Sequence, residues 1–139
     1  MLPWQNWSFA FDDRLPIYRQ IILQFNRAFV RGEVAPGDRI PSIRELSALL
    51  KVNTNTIQRA YQELEREGLV SSKRGTGYFL TEDESMTEKT RLELVRDSLQ
   101  RFVEEMRAIG CADGEIIDEL KSFMRGAEAY ETGSGNHGA

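Results

Sequence analysis

The chain has 139 residues, 40% of them hydrophobic, and a formal net charge of −4, which fits one packed domain with an accessory element. A single cysteine, Cys111, excludes a disulfide framework within the chain, and the single histidine, His137, lies in a Gly/Ser/Asn tail, so no metal site or cofactor is indicated. No apolar run approaches the roughly 18 residues of a spanning helix, and the N-terminus lacks a signal-peptide pattern, so we expect a soluble, cytoplasmic protein.

Charge is divided unevenly along the chain. Residues 1–80 hold 11 Lys and Arg and 8 Asp and Glu, a net charge of +3, whereas residues 81–139 hold 7 and 14, a net charge of −7. A locally positive region can engage a polyanion while an acidic remainder keeps the protein soluble. The overall charge of −4 therefore does not argue against contact with a nucleic acid through the first 80 residues.

The first predicted element is an aromatic N-terminal segment, residues 1–15, which is too irregular for a helix and is expected to pack against the rest of the chain. Its aromatic residues are Trp4, Trp7, Phe9 and Phe11. Pro16 and Gly32 then bracket a helix. Its wide apolar face consists of Ile17, Ile21, Phe25, Ala28 and Phe29. Ala35-Pro36-Gly37-Asp38 fits a type II turn and leads into an extended segment at Arg39 and Ile40.

A short second helix is predicted to start at Ser42, because Ser42 and Glu45 have the spacing of a capping box. Its apolar positions recur at steps of three and four residues, as on one face of a helix. They are Ile43, Leu46, Leu49 and Leu50. Lys51-Val52-Asn53 is the expected turn that follows this helix.

A third helix is predicted from Thr54 to Glu67 and ends before Gly68. Its buried stripe consists of Ile57, Ala60, Tyr61 and Leu64. At about 100° per residue, the opposite face carries amides and guanidiniums and no carboxylate. These groups are Asn55, Arg59, Gln62 and Arg66, with Gln58 on the flank. Such side chains can bond to adenine and guanine edges, and a helix fits the major groove, so we interpret this element as a recognition helix.

Two strands, Leu69–Lys73 and Tyr78–Leu80, are predicted to form a hairpin through a glycine-containing tip at Arg74–Gly77. Lys73 and Arg74 at this tip can approach a phosphate backbone or enter a minor groove. This order of elements is typical of a winged helix-turn-helix. We therefore predict a mostly α fold with a small β-hairpin wing, its DNA-binding domain spanning residues 16–81.

An acidic polar stretch after Leu80 is interpreted as a linker to a helical segment, residues 86–126, in which Asp113 can cap a second helix. We call the apolar positions of these two helices the C-terminal seam: Leu92, Val95, Leu99, Phe102, Met106, Ile109, Ile116, Leu120 and Phe123. Two helices with no third layer need a partner surface. The winged domain, the aromatic segment or a second chain could supply it, and we predict a two-fold homodimer. Residues 127–139 are expected to be a disordered tail.

Four blocks of sequence resemble the GntR family of bacterial transcription regulators. They are Ile40–Ser47, Val52–Tyr61, Glu63–Leu69 and Arg74–Gly77, and the resemblance covers roughly residues 15 to 80. The short helical C-terminal segment is similar to that of the YtrA-type subfamily. This resemblance implies pairing of two chains through these helices and control of a transporter operon.

The resemblance also implies site residues. Arg44 is expected to contact DNA from the start of the second helix, and the stretch 53–59 to contact bases and phosphates. The expected contact residues of that stretch are Asn53, Thr54, Asn55, Thr56, Gln58 and Arg59. Gly75, Thr76 and Gly77 shape the wing. Many family members carry arginine where this chain has Thr54 or Gln58, so their guanine contacts are not carried over, and a mixed adenine and guanine preference stays open.

The resulting expectation is a sequence-specific regulator, a repressor, that binds partly palindromic double-stranded DNA as a homodimer. The alternative is a winged helix that binds only proteins. An enzyme is not expected, because the segment after Leu80 is too short for the aminotransferase-type domain that a branch of the family carries. A small-molecule effector between paired helices stays open, and Cys111 is expected to be inert, although an exposed thiol could sense oxidants.

Overall fold

A computed structural model describes residues 3–7 and 12–136. In these residues the chain forms five α-helices and a three-stranded antiparallel sheet, which confirms the predicted mostly α fold with a small wing. The chain divides into two compact units, residues 1–94 and residues 95–139. The core cluster of buried side chains lies in the first unit.

Helix α1, Ile17–Val30, buries Ile21, Phe25, Ala28 and Phe29, four of the five residues of its predicted apolar face. The fifth, Ile17, is 39% exposed, because it lies at the first position of the helix. The expected packing of the aromatic segment is visible for its described part. Trp4 is buried in the core cluster, and the Trp7 ring meets Phe25 edge-on with 4.8 Å between centroids. A 3₁₀ turn at Pro3–Asn6 carries Trp4. Phe9 and Phe11 lie outside the described residues.

The predicted turn before the second helix is present. The Asp38 N–H donates to the Ala35 carbonyl oxygen at 3.0 Å, and Gly37 has a φ of 83°, as the third position of a type II turn requires. Strand β1, Arg39–Ile40, follows it. Ser42 caps helix α2, Ile43–Leu50, by accepting a 3.1 Å hydrogen bond from the Glu45 N–H. This bond is one half of the predicted capping box.

Helix α3, Thr54–Arg66, is joined to α2 by a turn in which Lys51 adopts a left-handed conformation. It buries the predicted stripe of Ile57, Ala60, Tyr61 and Leu64. Gly68 follows the helix with a φ of 82°, so a left-handed glycine ends it as predicted. One apolar prediction for α2 is wrong: Leu49 is 48% exposed, because Ile43, Leu46 and Leu50 already fill the side of α2 that faces the core.

The wing is formed by β2, Val70–Lys73, and β3, Gly77–Leu80, which pair antiparallel with Val70 opposite Leu80 and Lys73 opposite Gly77. Strand β3 also pairs with β1, so it is the central strand of the sheet. Only residues 81–83 separate the wing from the next helix. The Asp83 carboxylate accepts from the Ser85 N–H at 3.0 Å at that helix start.

Helix α4, Glu84–Ala108, and helix α5, Asp113–Asn136, make up the C-terminal segment. Asp113 does not cap α5 as we predicted. It lies in the first turn and accepts from the Arg107 guanidinium at 3.0 and 3.1 Å, while the Ala112 N–H donates to the Glu115 carboxylate. This pair holds the pKa of the Asp113 carboxyl below its usual value.

Helix α5 is longer than composition suggested. The backbone of residues 127–136 continues the helix, whereas we predicted a disordered tail from residue 127. Alanine and glutamate at positions 127–129 favour helix, and an established helix extends more easily than a new one starts. His137 lies outside the described residues.

Candidate nucleic-acid interface

One face of α3 is open to solvent along its length. Asn55, Gln58, Arg59, Gln62 and Arg66 are all exposed, as are Asn53 and Thr54 at its start, and Thr56 is half-buried. The face is less free of carboxylates than the sequence indicated, because Glu63 forms an ion pair with Arg66 one turn further on. The exposed amides and the Arg59 guanidinium therefore lie between Asn55 and Gln62, before the Arg66 end of the helix.

Asn53 has a local structural task in addition to its expected contact with DNA. Its side-chain oxygen accepts a 2.8 Å hydrogen bond from the Asn55 N–H and caps α3. Asparagine directly before a helix start is itself a capping signal, so its position in the sequence could have revealed this role. The residue as a whole is exposed.

The Arg59 guanidinium lies on the aromatic ring of Tyr18, a residue outside the predicted site. The Arg59 Cζ is 3.9 Å from the centroid of the Tyr18 ring, and its Nη2 is 3.3 Å from the Tyr18 hydroxyl oxygen. Arg19 Nε donates to the same oxygen at 3.2 Å. This bond from Arg19, with the nearby charge of Arg59, lowers the pKa of the Tyr18 hydroxyl. No periodicity in the sequence indicated a contact between α1 and α3 at this point.

Arg44 is exposed on the first turn of α2. The Glu45 carboxylate beside it pairs with Arg39, with 3.6 Å between Nη2 and Oε1. Arg39 Nε also lies only 3.1 Å from the position that a Cβ on Gly77 would occupy. Arg39, the first residue of β1, thus lies between the Glu45 carboxylate and the Gly77 end of β3, and its place in the predicted extended segment was the only sequence signal for it.

The wing presents two cations in different ways. Lys73 Nζ lies 4.8 Å from the centroid of the Phe79 ring, within the range of a cation–π contact. Arg74 is exposed at the tip, where the Thr76 N–H donates to the Lys73 carbonyl oxygen at 2.9 Å. Gly75 has a φ of 80° inside this turn, and a Cβ added to it would have no atom within 4 Å. The tip is therefore narrow and unobstructed.

The predicted contact residues up to position 77 all belong to the first unit, which carries α2, α3 and the wing. The fold brings a helix face with base-reading chemistry into the same compact unit as a basic hairpin. Among the described residues, no helix is long and apolar enough to cross a membrane. No group of three or more metal-ligating side chains occurs in that part of the chain either.

Much of the C-terminal seam is exposed in the single chain. Leu99 is 52%, Phe123 74% and Ile109 76% exposed, and Leu92, Val95 and Leu120 are also exposed. Phe102 and Met106 are half-buried, and Ile116 is buried. Large exposed apolar side chains at helical spacing are typical of a surface that another element or chain covers.

Comparison with known proteins gives a consistent assignment. Residues 17–80 match the model of the "bacterial regulatory proteins, gntR family". The chain is 40% identical over 116 residues to the uncharacterized HTH-type transcriptional regulator YhcF of Bacillus subtilis, covering 84% of this chain and 96% of that protein. It is 35% identical over 117 residues to the HTH-type transcriptional repressor YtrA of the same organism, covering 81% and 90%.

A solved structure agrees with these relatives. The fold is similar to that of a GntR family transcriptional regulator from Listeria monocytogenes, with a TM-score of 0.75, 39% identity and coverage of 81% of this chain and 98% of that one. The similarity therefore extends beyond the winged domain into the C-terminal helices. The chain belongs to the GntR family of bacterial helix-turn-helix transcription regulators.

Proposed function

We propose that the chain is a sequence-specific double-stranded DNA-binding regulator that acts in the cytoplasm as a homodimer on a partly palindromic operator. The single observation that carries this proposal is the exposed polar face of α3, with Asn55, Gln58 and Arg59 open to solvent. Their amide and guanidinium groups can bond bidentately to adenine and guanine in the major groove. These three side chains are the proposed base readers.

Contacts to the DNA backbone come, in this proposal, from cations around that face. Arg44 is exposed on α2, and Lys73 and Arg74 are exposed on the wing. Asn53, Thr54 and Thr56 at the helix start are proposed to approach bases and phosphates, and Gly75, Thr76 and Gly77 to let the wing come close to the duplex. Phosphate contacts supply much of the affinity and make it depend on salt.

Dimerisation is proposed to occur through the C-terminal seam. A second copy would cover side chains such as Leu99 and Phe123, which are exposed in one chain. Two-fold pairing would present two copies of α3 to successive major grooves, about 34 Å apart. An operator with two related half-sites follows from this symmetry.

Repression is the proposed direction of regulation. The relative YtrA is named a transcriptional repressor, and a dimer bound over a promoter would exclude polymerase. Control of a transporter operon is proposed from the family resemblance alone. A reporter gene placed behind the selected operator tests the direction: expression should fall when the regulator is present.

Selection of bound duplexes from a random pool tests the central proposal. The recovered sites should share two half-sites, and affinity should fall by about 10³-fold or more between about 50 and 200 mM salt if some six phosphates are contacted. Arg59→Ala should cost about 1 to 3 kcal/mol on the preferred site. Arg101→Ala removes a guanidinium that is also exposed, on α4, and the affinity of this variant should match that of the wild type.

The alternative, a winged helix that binds only proteins, predicts a different result. The folded wild-type chain would then leave no duplex enriched, and its weak, salt-sensitive retention on DNA would be the same for every sequence, with or without Arg59→Ala. A preferred duplex with a steep salt dependence excludes that alternative.

A further inference from the structure

The Tyr18 ring and the Arg59 guanidinium form a contact between two helices that are far apart in sequence. Tyr18 lies in the first turn of α1 and Arg59 in the second turn of α3, 41 positions later. The Arg59 Cζ lies 3.9 Å from the ring centroid, well inside the roughly 6 Å range of a cation–π interaction. The 3.3 Å bond from Nη2 to the Tyr18 hydroxyl oxygen fixes the rotation of the guanidinium further.

The Tyr18 ring is itself held in place. Tyr18 is half-buried and packs against the hydrophobic core, so its ring cannot turn freely. Arg19 Nε donates to the Tyr18 hydroxyl oxygen at 3.2 Å from the same helix turn. The Arg59 head group is therefore oriented by a part of the fold outside the helix-turn-helix.

A stacked guanidinium retains its directional chemistry. The guanidinium has five N–H donors in one plane, and Nη2 donates to Tyr18, so other donors of the same plane stay available to a base edge. An arginine in free rotation must be ordered when it binds, whereas one already held loses less entropy. Stacking therefore favours contacts that need a defined plane, such as the bidentate pair with guanine, over loose contacts with phosphate.

We propose that Tyr18 is a specificity-determining positioning residue, which fixes the guanidinium plane of Arg59 for reading a base. This inference rests on the proposed function, in which Arg59 faces DNA bases. It assigns part of the sequence preference to a side chain on α1 that need not touch a base itself.

The experiment compares affinities for two duplexes. One is the site selected by the wild type. The other differs from it by one base pair, chosen because this change weakens binding by the wild type much more than it weakens binding by Arg59→Ala. Tyr18→Leu should lower the ratio of the two affinities by about three- to tenfold, the range expected for a partly exposed cation–π contact, and should leave affinity for unrelated duplex unchanged. Tyr18→Phe keeps the ring and should retain most of the ratio.

A double variant shows whether Tyr18 acts through Arg59 or independently of it. Tyr18→Leu should change nothing further in the Arg59→Ala background, because the group that it positions is gone. Phe79→Leu is the matched control, since it removes the ring beneath Lys73 in the wing. It should weaken binding to both duplexes by the same factor, as loss of a phosphate contact does.

Three results would overturn the inference: an unchanged ratio in Tyr18→Leu, equal weakening on every duplex, or an additive effect in the double variant. Thermal unfolding must show each variant folded at the assay temperature. If the leucine variant is not, Tyr18→Met replaces it, because the unbranched, flexible methionine side chain can adapt to the space that the ring leaves. A wild type without sequence preference contradicts the proposed function instead. A selective wild type with an unaltered Tyr18→Leu contradicts only the role of Tyr18.

Discussion

The Tyr61 hydroxyl of α3 donates a 2.6 Å hydrogen bond to the carbonyl oxygen of Pro41, the residue before the cap of α2. Tyr61 is fully buried, and its ring meets those of Phe25 and Tyr78 edge-on. The bond therefore joins α3 to the start of the preceding helix from inside the core.

Removing this hydroxyl should destabilise the first unit. Tyr61→Phe keeps the ring but leaves a buried carbonyl oxygen without this donor, which should lower the free energy of unfolding by about 1 to 3 kcal/mol. Urea denaturation followed by tryptophan fluorescence measures the loss. Tyr78→Phe, a half-buried tyrosine beside the same ring, should stay within about 0.5 kcal/mol of the wild type. Equal losses in both variants would argue against a special role of the bond.

Stability should decrease at high pH because of the same side chain. Burial raises the pKa of Tyr61 above its ordinary value of 10.0, so the folded state keeps a proton that the unfolded chain releases. Its contribution is present in full below pH 10.0 and is lost as pH rises above that value. Between about pH 10 and 11, wild-type stability should fall more steeply than that of Tyr61→Phe, by up to about 1.4 kcal/mol per pH unit. Parallel curves for the two proteins would contradict this.

Asn53 offers a separation of stability from binding. Asn53→Ala removes the oxygen that caps α3 and should cost about 1 kcal/mol of stability. Asn53→Asp keeps the cap and adds a negative charge near the helix start, so stability should be retained while DNA affinity falls. Chemical denaturation and gel shifts of both variants check the two effects. Unimpaired binding by the aspartate variant would remove Asn53 from the proposed interface.

The two wing glycines should respond differently to alanine. Gly77 has a φ of 121°, and an added Cβ would lie 3.1 Å from Arg39 Nε, so Gly77→Ala must both strain the backbone and displace Arg39. We expect a cost of about 1 to 3 kcal/mol. Gly75 has a φ of 80° and open space around it, so Gly75→Ala should cost only about 1 kcal/mol. Thermal unfolding ranks the two, and a larger loss for Gly75→Ala would be inconsistent with this geometry.

The proposed dimer should depend on exposed apolar side chains in α4. Leu99 is 52% exposed in the single chain, so Leu99→Glu should cost that chain little but place a charge in the dimer interface. Sedimentation equilibrium should show dissociation at concentrations where the wild type is dimeric. Ser98→Glu adds the same charge at the neighbouring exposed position and should leave the dimer intact. A monomeric wild type at micromolar concentration would count against pairing altogether.

The elements of the first unit were predictable because local signals mark their ends. Ser42, Gly37 and Gly68 take the cap, turn and helix-end roles that their residue types favour, and the apolar spacing of α3 matches its buried stripe. These features depend on residues within a few positions of one another. Periodicity and end signals therefore located them.

Features that depend on distant contacts were not predictable in this way. The contact between Tyr18 and Arg59 joins positions 41 apart in the sequence. The spacing of apolar residues in α1 and α3 does not indicate which side chains at the edges of the two packed helix faces will meet. Leu49 fitted the helical spacing of apolar residues but is exposed. The spacing alone does not show how much of the helix circumference the core covers. The continuation of α5 to Asn136 likewise depends on the helix that precedes it. The amino-acid composition of residues 127–136 alone does not indicate this.

Cys111 is half-buried in the short connection between α4 and α5, where its backbone N–H donates to the Met106 carbonyl oxygen. Because the sequence contains no other cysteine, a nitroxide coupled there would place one paramagnetic centre on each chain at a defined point of the backbone. Pulsed electron resonance would then give a single interspin distance for a symmetric pair, and titration with operator duplex would reveal whether the two connections move apart when both recognition helices are engaged.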